Sequence, residues 1–227
     1  YGLRNRAEQA RALEHGGFCR LIIYIMSGQT LLLEDCMHIT ADGEVRVERP
    51  IAGVIVQEIE AAAKNPQFEP YLRDADTGLL IYVPPDSEAV IHYEVVRSAS
   101  ENIVIILDRG SAVTFLEDYL VSGSLDGKIF VYIGDYAKLE LFEIHRAASD
   151  ADVTLLKQIN CASNSRLQRE VIYLGSRTSS VDTKIILDAD AAAGNVELFF
   201  GSGEQAFRVN TSFFHRGIRS KGEMLIK

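Results

Sequence analysis

The 227-residue sequence contains no tryptophan, three cysteines and five prolines. Cys19, Cys36 and Cys161 are too few and too scattered for a disulfide framework, and none stands in the paired spacing of a structural zinc site. They read as reduced thiols. Long apolar runs are also missing: the longest, residues 21–26, falls far short of the about 18 residues of a membrane span. Residues 1–17 (YGLRNRAEQARALEHGG) are charged from the start and lack the apolar core of a secretory signal. Positive charge is scarce, with 23 Lys and Arg against 32 Asp and Glu, a net charge of −9 and a pI near 5.1. No general basic field exists to hold a phosphate backbone, so nucleic acid and membrane are not expected partners. The expected compartment is the cytoplasm. Because the chain begins with Tyr1, it is expected to be a processed product or part of something longer.

What is present is the composition of a folded protein, 47% hydrophobic and 24% charged. Residues 3–14 carry apolar residues at helical spacing and stop at Gly16-Gly17, and the runs 21–26 and 30–33 read as two strands around a tight turn. Asp42-Gly43 signals a hairpin ahead of the alternating residues 44–48. Apolar residues at 55, 56, 59, 62 and 63 predict a helix over 54–64, stopped by Asn65-Pro66, with one more helical turn over 67–72. From Gly78 onward period-2 alternation takes over. Eleven strands are expected, at 79–83, 89–96, 102–107, 112–117, 128–133, 137–144, 153–159, 166–174, 181–187, 196–200 and 206–214. The segments 109–117 (RGSAVTFLE) and 134–142 (GDYAKLELF) share a pattern of turn, small residue and alternating strand, displaced by 25 residues, and a weaker copy starts near Asn164-Ser165. Such a repeat suits the rungs of a parallel β-helix. On pattern alone an antiparallel β-sandwich stays open as the alternative. The expected division is an N-terminal helical and hairpin region over 1–77 and a β-rich core over 78–227.

Four segments, in order, resemble the SufB/SufD family of the SUF iron–sulfur cluster assembly system. They are residues 53–72 (GVIVQEIEAAAKNPQFEPYL), 78–85 (GLLIYVPP), 102–117 (NIVIILDRGSAVTFLE) and 215–227 (HRGIRSKGEMLIK). The last is similar to the pattern H-x-A-P-x-T-x-S-x(4)-K-G, with His215, Ser220 and Lys227 at its His, Thr and Lys; Gly217-Ile218 replaces Ala-Pro and Gly222 replaces Ser. The resemblance implies a right-handed parallel β-helix and, because cysteine is sparse near the N-terminus, a SufD-like chain. It further implies a scaffold subunit that is not an enzyme and acts with SufB-like and SufC-like ATPase subunits. An iron–sulfur cluster would be present only transiently, at the level of the complex. A plant origin would place it in the plastid stroma. The family's ligand rungs and its SufC-binding tail lie beyond the matching motif, so on this reading the chain lacks its C-terminal part.

Three sets of residues are candidates for chemistry. His215 is the metal candidate, since neutral imidazole suits iron, against a turn histidine capping a rung. Cys161 is the thiol candidate, a sulfur carrier if its thiolate were stabilised, against a small buried core residue. Asp188 and Asp190 resemble paired acids, against solvated turn formers. Gly201-Ser202-Gly203 lacks the third glycine of a phosphate cradle, and neither a phosphate-binding loop ending in Gly-Lys-Ser/Thr nor a G-x-S-x-G elbow is present. The competing functions are a β-helix enzyme acting on acidic polysaccharide and a structural solenoid that forms a homodimer.

Overall fold

The computed structural model describes residues 36–42, 44–75, 77–96, 99–200 and 205–227. Residues 3–14 and 21–33 lie outside them, and Met37–Lys227 forms one compact unit. Within it the chain winds as a β-solenoid of about five turns, alternating between two sheets. The eight-stranded sheet runs β2 (Val45–Glu48), β1 (Met37–Ala41), β5 (Glu88–Val96), β7 (Ala112–Val121), β9 (Lys138–Ala147), β11 (Arg166–Leu174), β13 (Ala192–Phe200) and β15 (Lys221–Ile226). The seven-stranded sheet runs β3 (Ile55–Glu58), β4 (Leu79–Val83), β6 (Ala99–Leu107), β8 (Ser124–Ile133), β10 (Asp152–Cys161), β12 (Thr178–Leu187) and β14 (Ala206–His215). Pairing is parallel from β5 through β15 and from β4 through β14; among the described residues only the β1–β2 and β3–β4 pairs are antiparallel. The antiparallel sandwich is therefore excluded, while the hairpin signal at residues 42–43 is realised as β1–β2.

The rung repeat has a local cause. Each passage from the seven-stranded sheet to the eight-stranded one holds a residue of left-handed backbone: Asp86, Gly110, Tyr136, Asn164, Asp190 and Arg219, with φ between 53° and 72°. A small residue follows each one, namely Ser87, Ser111, Ala137, Ser165, Ala191 and Ser220. The turns stack, because the left-handed N–H of five of the six donates to a carbonyl of the next turn: Asp86 to Arg109, Gly110 to Asp135, Tyr136 to Ser163, Asn164 to Ala189 and Asp190 to Ile218. Gly110 aligns with Tyr136, so the true displacement is one residue longer than the 25 read from the sequence.

The alternation sends every second residue inward. Leu79, Ile81, Ile91, Tyr93, Ile103, Ile105, Val113, Phe115, Ile129 and Val131 fill the lumen and are at most 3% exposed. A second cluster lies on the outer face of the seven-stranded sheet, where Ile59, Ala62, Phe68 and Leu72 cover Leu80, Tyr82, Val104 and Ile106. The elements above that face correct the expected helix over 54–64. Ile55–Glu58 is strand β3, paired with β4, and only Ile59–Ala62 is a helix (α1). The β-branched Ile55 and Val56 suit a sheet edge better than a helical turn. The extra helical turn over 67–72 is a short 3-10 segment, Glu69–Tyr71. The eleven expected strands are all present but several begin earlier, as β8 and β12 do at Ser124 and Thr178. A twelfth, β15, completes the series, hidden from periodicity by Gly222. Among the described residues, no helix is long and apolar enough to cross a membrane.

Candidate functional site

The lumen changes character beyond β5. The inward parity that places Val113 and Phe115 in the core also places Glu117 and Tyr119 there, and the same holds for Glu143 and His145 on β9 and for Arg169 and Tyr173 on β11. Asn195 and Glu197 on β13 and Lys157 on β10 follow the same rule. Register sets who meets whom: Glu117 opposes Glu143, Arg169 opposes Asn195, and Lys157 lies between Ile129 and Thr183 across the lumen. Each of these charged groups is at most 1% exposed.

They form one connected network. Lys157 Nζ donates to Glu117 Oε2 at 2.5 Å and lies 2.9 Å from Glu143 Oε2. Arg169 donates through Nε to Glu143 Oε1 at 2.5 Å, through Nη2 to Glu143 Oε2 at 3.2 Å, and through Nη1 to Glu197 Oε1 at 3.1 Å and Asn195 Oδ1 at 2.9 Å. Glu197 Oε1 also accepts from Asn195 Nδ2 at 2.9 Å and from Thr211 Oγ1 at 2.6 Å, and the Tyr119 hydroxyl donates to Glu117 at 2.8 Å. Beside the network runs an aromatic ladder, in which Tyr119, His145, Tyr173 and Phe199 stack at 4.7–4.8 Å between centroids.

Burial alone would raise the Glu143 pKa, but the charges of Arg169 and Lys157 and the hydrogen bonds from His145 and Arg169 outweigh it. They hold the carboxyl well below its ordinary range. Burial pulls His145 down, opposed by its bond to Glu143, so the imidazole is held neutral at pH 7. Its Nε2 faces Glu143 Oε2 at 3.4 Å, and Nδ1 has no partner. Glu117 Oε1 is likewise buried without one. Three carboxyl groups thus meet two cations in a closed lumen, with unused polar atoms pointing into it. Taking such groups out of water costs several kcal/mol per ion, repaid only by good geometry, so the network is poor evidence for stability.

The residues singled out from sequence lie elsewhere. Cys161 and His215 share one inward row, Cys161–Leu187–His215, which separates them by two strands, about 10 Å. Cys161 is 1% exposed, and burial pushes its thiol up to about 12, which removes the thiolate a sulfur carrier needs. His215 is exposed, and its Nδ1 lies 2.7 Å from Ser220 Oγ, the contact of a histidine closing a turn. Asp188 pairs with Arg216 at 3.1 Å and Asp190 with Arg219 at 2.7 Å, so the two acids are ion-paired turn residues and not a catalytic dyad. Among the described residues, no group of three or more His, Cys, Asp and Glu is placed to hold a metal ion. The lumen network escaped the sequence reading, although its signal is plain once the rungs are known: charged residues at the inward parity of otherwise apolar strands.

A family model described as SUF system FeS cluster assembly, SufBD core domain, matches residues 90–227, which span β5 to β15 and hold the whole network. No curated protein matches the chain.

Proposed function

The chain belongs to the SufBD core family, which gives it a role in SUF iron–sulfur cluster assembly, and from that premise we propose that it is a SufD-like scaffold subunit. It acts through contacts with a SufB-like subunit and a SufC-like ATPase, in the cytoplasm or, in a plant, the plastid stroma. The cluster is cargo of the complex, and this chain carries out no catalysis of its own. The observation that carries the reading is the match over the solenoid, joined to a lumen whose charges are committed to one another. The SufD-like assignment, in preference to SufB-like, rests on Cys19 and Cys36 being the only cysteines of the N-terminal part.

The test is affinity capture of the tagged full-length protein from its native cells. Recovery of a phosphate-binding-loop ATPase and a second SufBD-core protein is expected; a capture that brings neither would sink the reading. A homodimer is the second reading, favoured by the exposed Phe214 and Leu225 on the outer faces of β14 and β15. Light scattering of the isolated chain across the micromolar range separates the two: a dimer supports this second reading, and a strict monomer removes it while leaving the scaffold, whose partners are other chains, to the capture experiment.

A further inference from the structure

Ion pairs link neighbouring rungs at several places on the outer surface of the solenoid. Arginines meet aspartates one rung away: Arg146 with Asp118, Arg177 with Asp152, Arg216 with Asp188 and Arg219 with Asp190. On the outer face of the eight-stranded sheet, Lys138 of β9 stands directly opposite Arg166 of β11. Arg166 opposes Ala192 of β13, and Ala192 opposes Lys221 of β15. Three exposed cations therefore share one row, and none has a carboxylate within ion-pair distance among the described residues. Like charges facing one another across strands are destabilising, so this row is costly as it stands.

The row lines a groove of about 400 Å³. Its floor is β13, where Ala192 and Gly194 carry almost no side chain, and its walls are Arg166 and Gln168 on one side and Lys221 and Glu223 on the other. A Cβ at Gly194 would run into the amide of Gln168, which leans across the floor. Arg166 and Lys221 face each other over about 10 Å, two strand spacings, and Lys138 extends the positive line by one more. One residue pair along the strands, Glu140 and Glu223 close the groove with negative charge. A long polyanion would run into them. A compact, multiply charged anion seated over Ala192 would meet three cations and relieve their repulsion, and a guanidinium suits phosphate oxygens geometrically.

We propose that this groove binds a diphosphate group, with Arg166 and Lys221 holding it from both sides and Lys138 supplying the third charge. The site stands on these side chains alone and does not depend on the assembly role. The test is titration of the isotope-labelled full chain with inorganic pyrophosphate, and separately with ADP, following the amides of Ala192 and Gly194. Saturable shifts confined to β11, β13 and β15 are expected. Affinity should fall by about tenfold or more in Arg166→Gln and Lys221→Gln, in line with losing a charge-assisted contact, and vanish in Ala192→Glu. Lys128→Gln, on the other sheet, should bind as the parent does. Equal affinity for the two ligands supports a site that reads the diphosphate alone, and tighter ADP supports a nucleotide source. No saturable shift with millimolar pyrophosphate, or binding unchanged when all three cations are replaced by Gln, would overturn the proposal.

Discussion

Two stretches of one lumen share a backbone and differ in contents. Between β4, β5, β6 and β7 the inward residues are Ile81, Ile91, Tyr93, Ile103, Ile105 and Phe115, packed without a charge. From Glu117 on, the same inward rows carry Glu143, Lys157, Arg169 and Glu197. The apolar stretch is held by area removed from water, which is cheap to disturb by a methyl group and costly to disturb by a charge. The charged stretch is the reverse: each member is tolerable only while its partners remain. Stacked rungs therefore specify shape and leave the chemistry of each layer free.

The difference can be broken most severely at Arg169. Arg169→Ala leaves Glu143 and Glu197 buried without their shared cation and is expected to cost about 3–5 kcal/mol in urea unfolding. Lys157→Met and Glu117→Leu should each be costly alone, while the double variant should recover part of the loss; a double-mutant cycle with additive effects would show that the pair does not interact. The matching test of the apolar stretch is Ile103→Val on β6, in register with Leu79 and Ile129, with an expected cost of about 1 kcal/mol.

Acid should act on the charged stretch in two steps. His145 and Glu143 both have folded pKa values depressed below their ordinary ones. Each therefore contributes stability that is fully present above its unfolded pKa and is lost as pH falls through the folded one. Unfolding midpoints should decline below about pH 6.5 from the histidine and more steeply below about pH 4.3 from the glutamate. His145→Phe, which keeps the aromatic ladder, should flatten the first step only in part. His92, pulled down to about 4 chiefly by burial, titrates in the same direction and keeps the remainder. The smallest effect is expected at the surface: Arg177→Gln, which parts a solvent-exposed pair with Asp152, should leave the unfolding midpoint nearly unchanged.

Much of the fold could be read from the chain because its cause is local. The left-handed turn residue and the small residue after it recur as Gly110-Ser111, Tyr136-Ala137 and Asn164-Ser165, and alternation does the rest. The failures are also local. Ile55, Val56 and Ile59 fit a helical stripe as well as a strand followed by one helical turn, and only pairing with β4 decides between them. The lumen network was not legible for a different reason. Glu143 and Arg169 are 26 residues apart and meet only through the register of two rungs, which no window along the chain contains. Cys161 drew attention by type, and its burial, fixed by that same register, takes its reactivity away.

The stacked turns carry one more consequence. On their edge of the solenoid every connection between sheets is four residues long, as in 84–87, 108–111, 134–137, 162–165 and 188–191, until the last, 216–220, takes five. On the opposite edge the connections 122–123, 148–151 and 175–177 differ from one another in length. One edge is a ruler and the other is slack. Added sequence, whether a peptide tag, a recognition loop or a cleavage site, belongs at 148–151 or 175–177, where a change in length shifts no rung out of step with its neighbours.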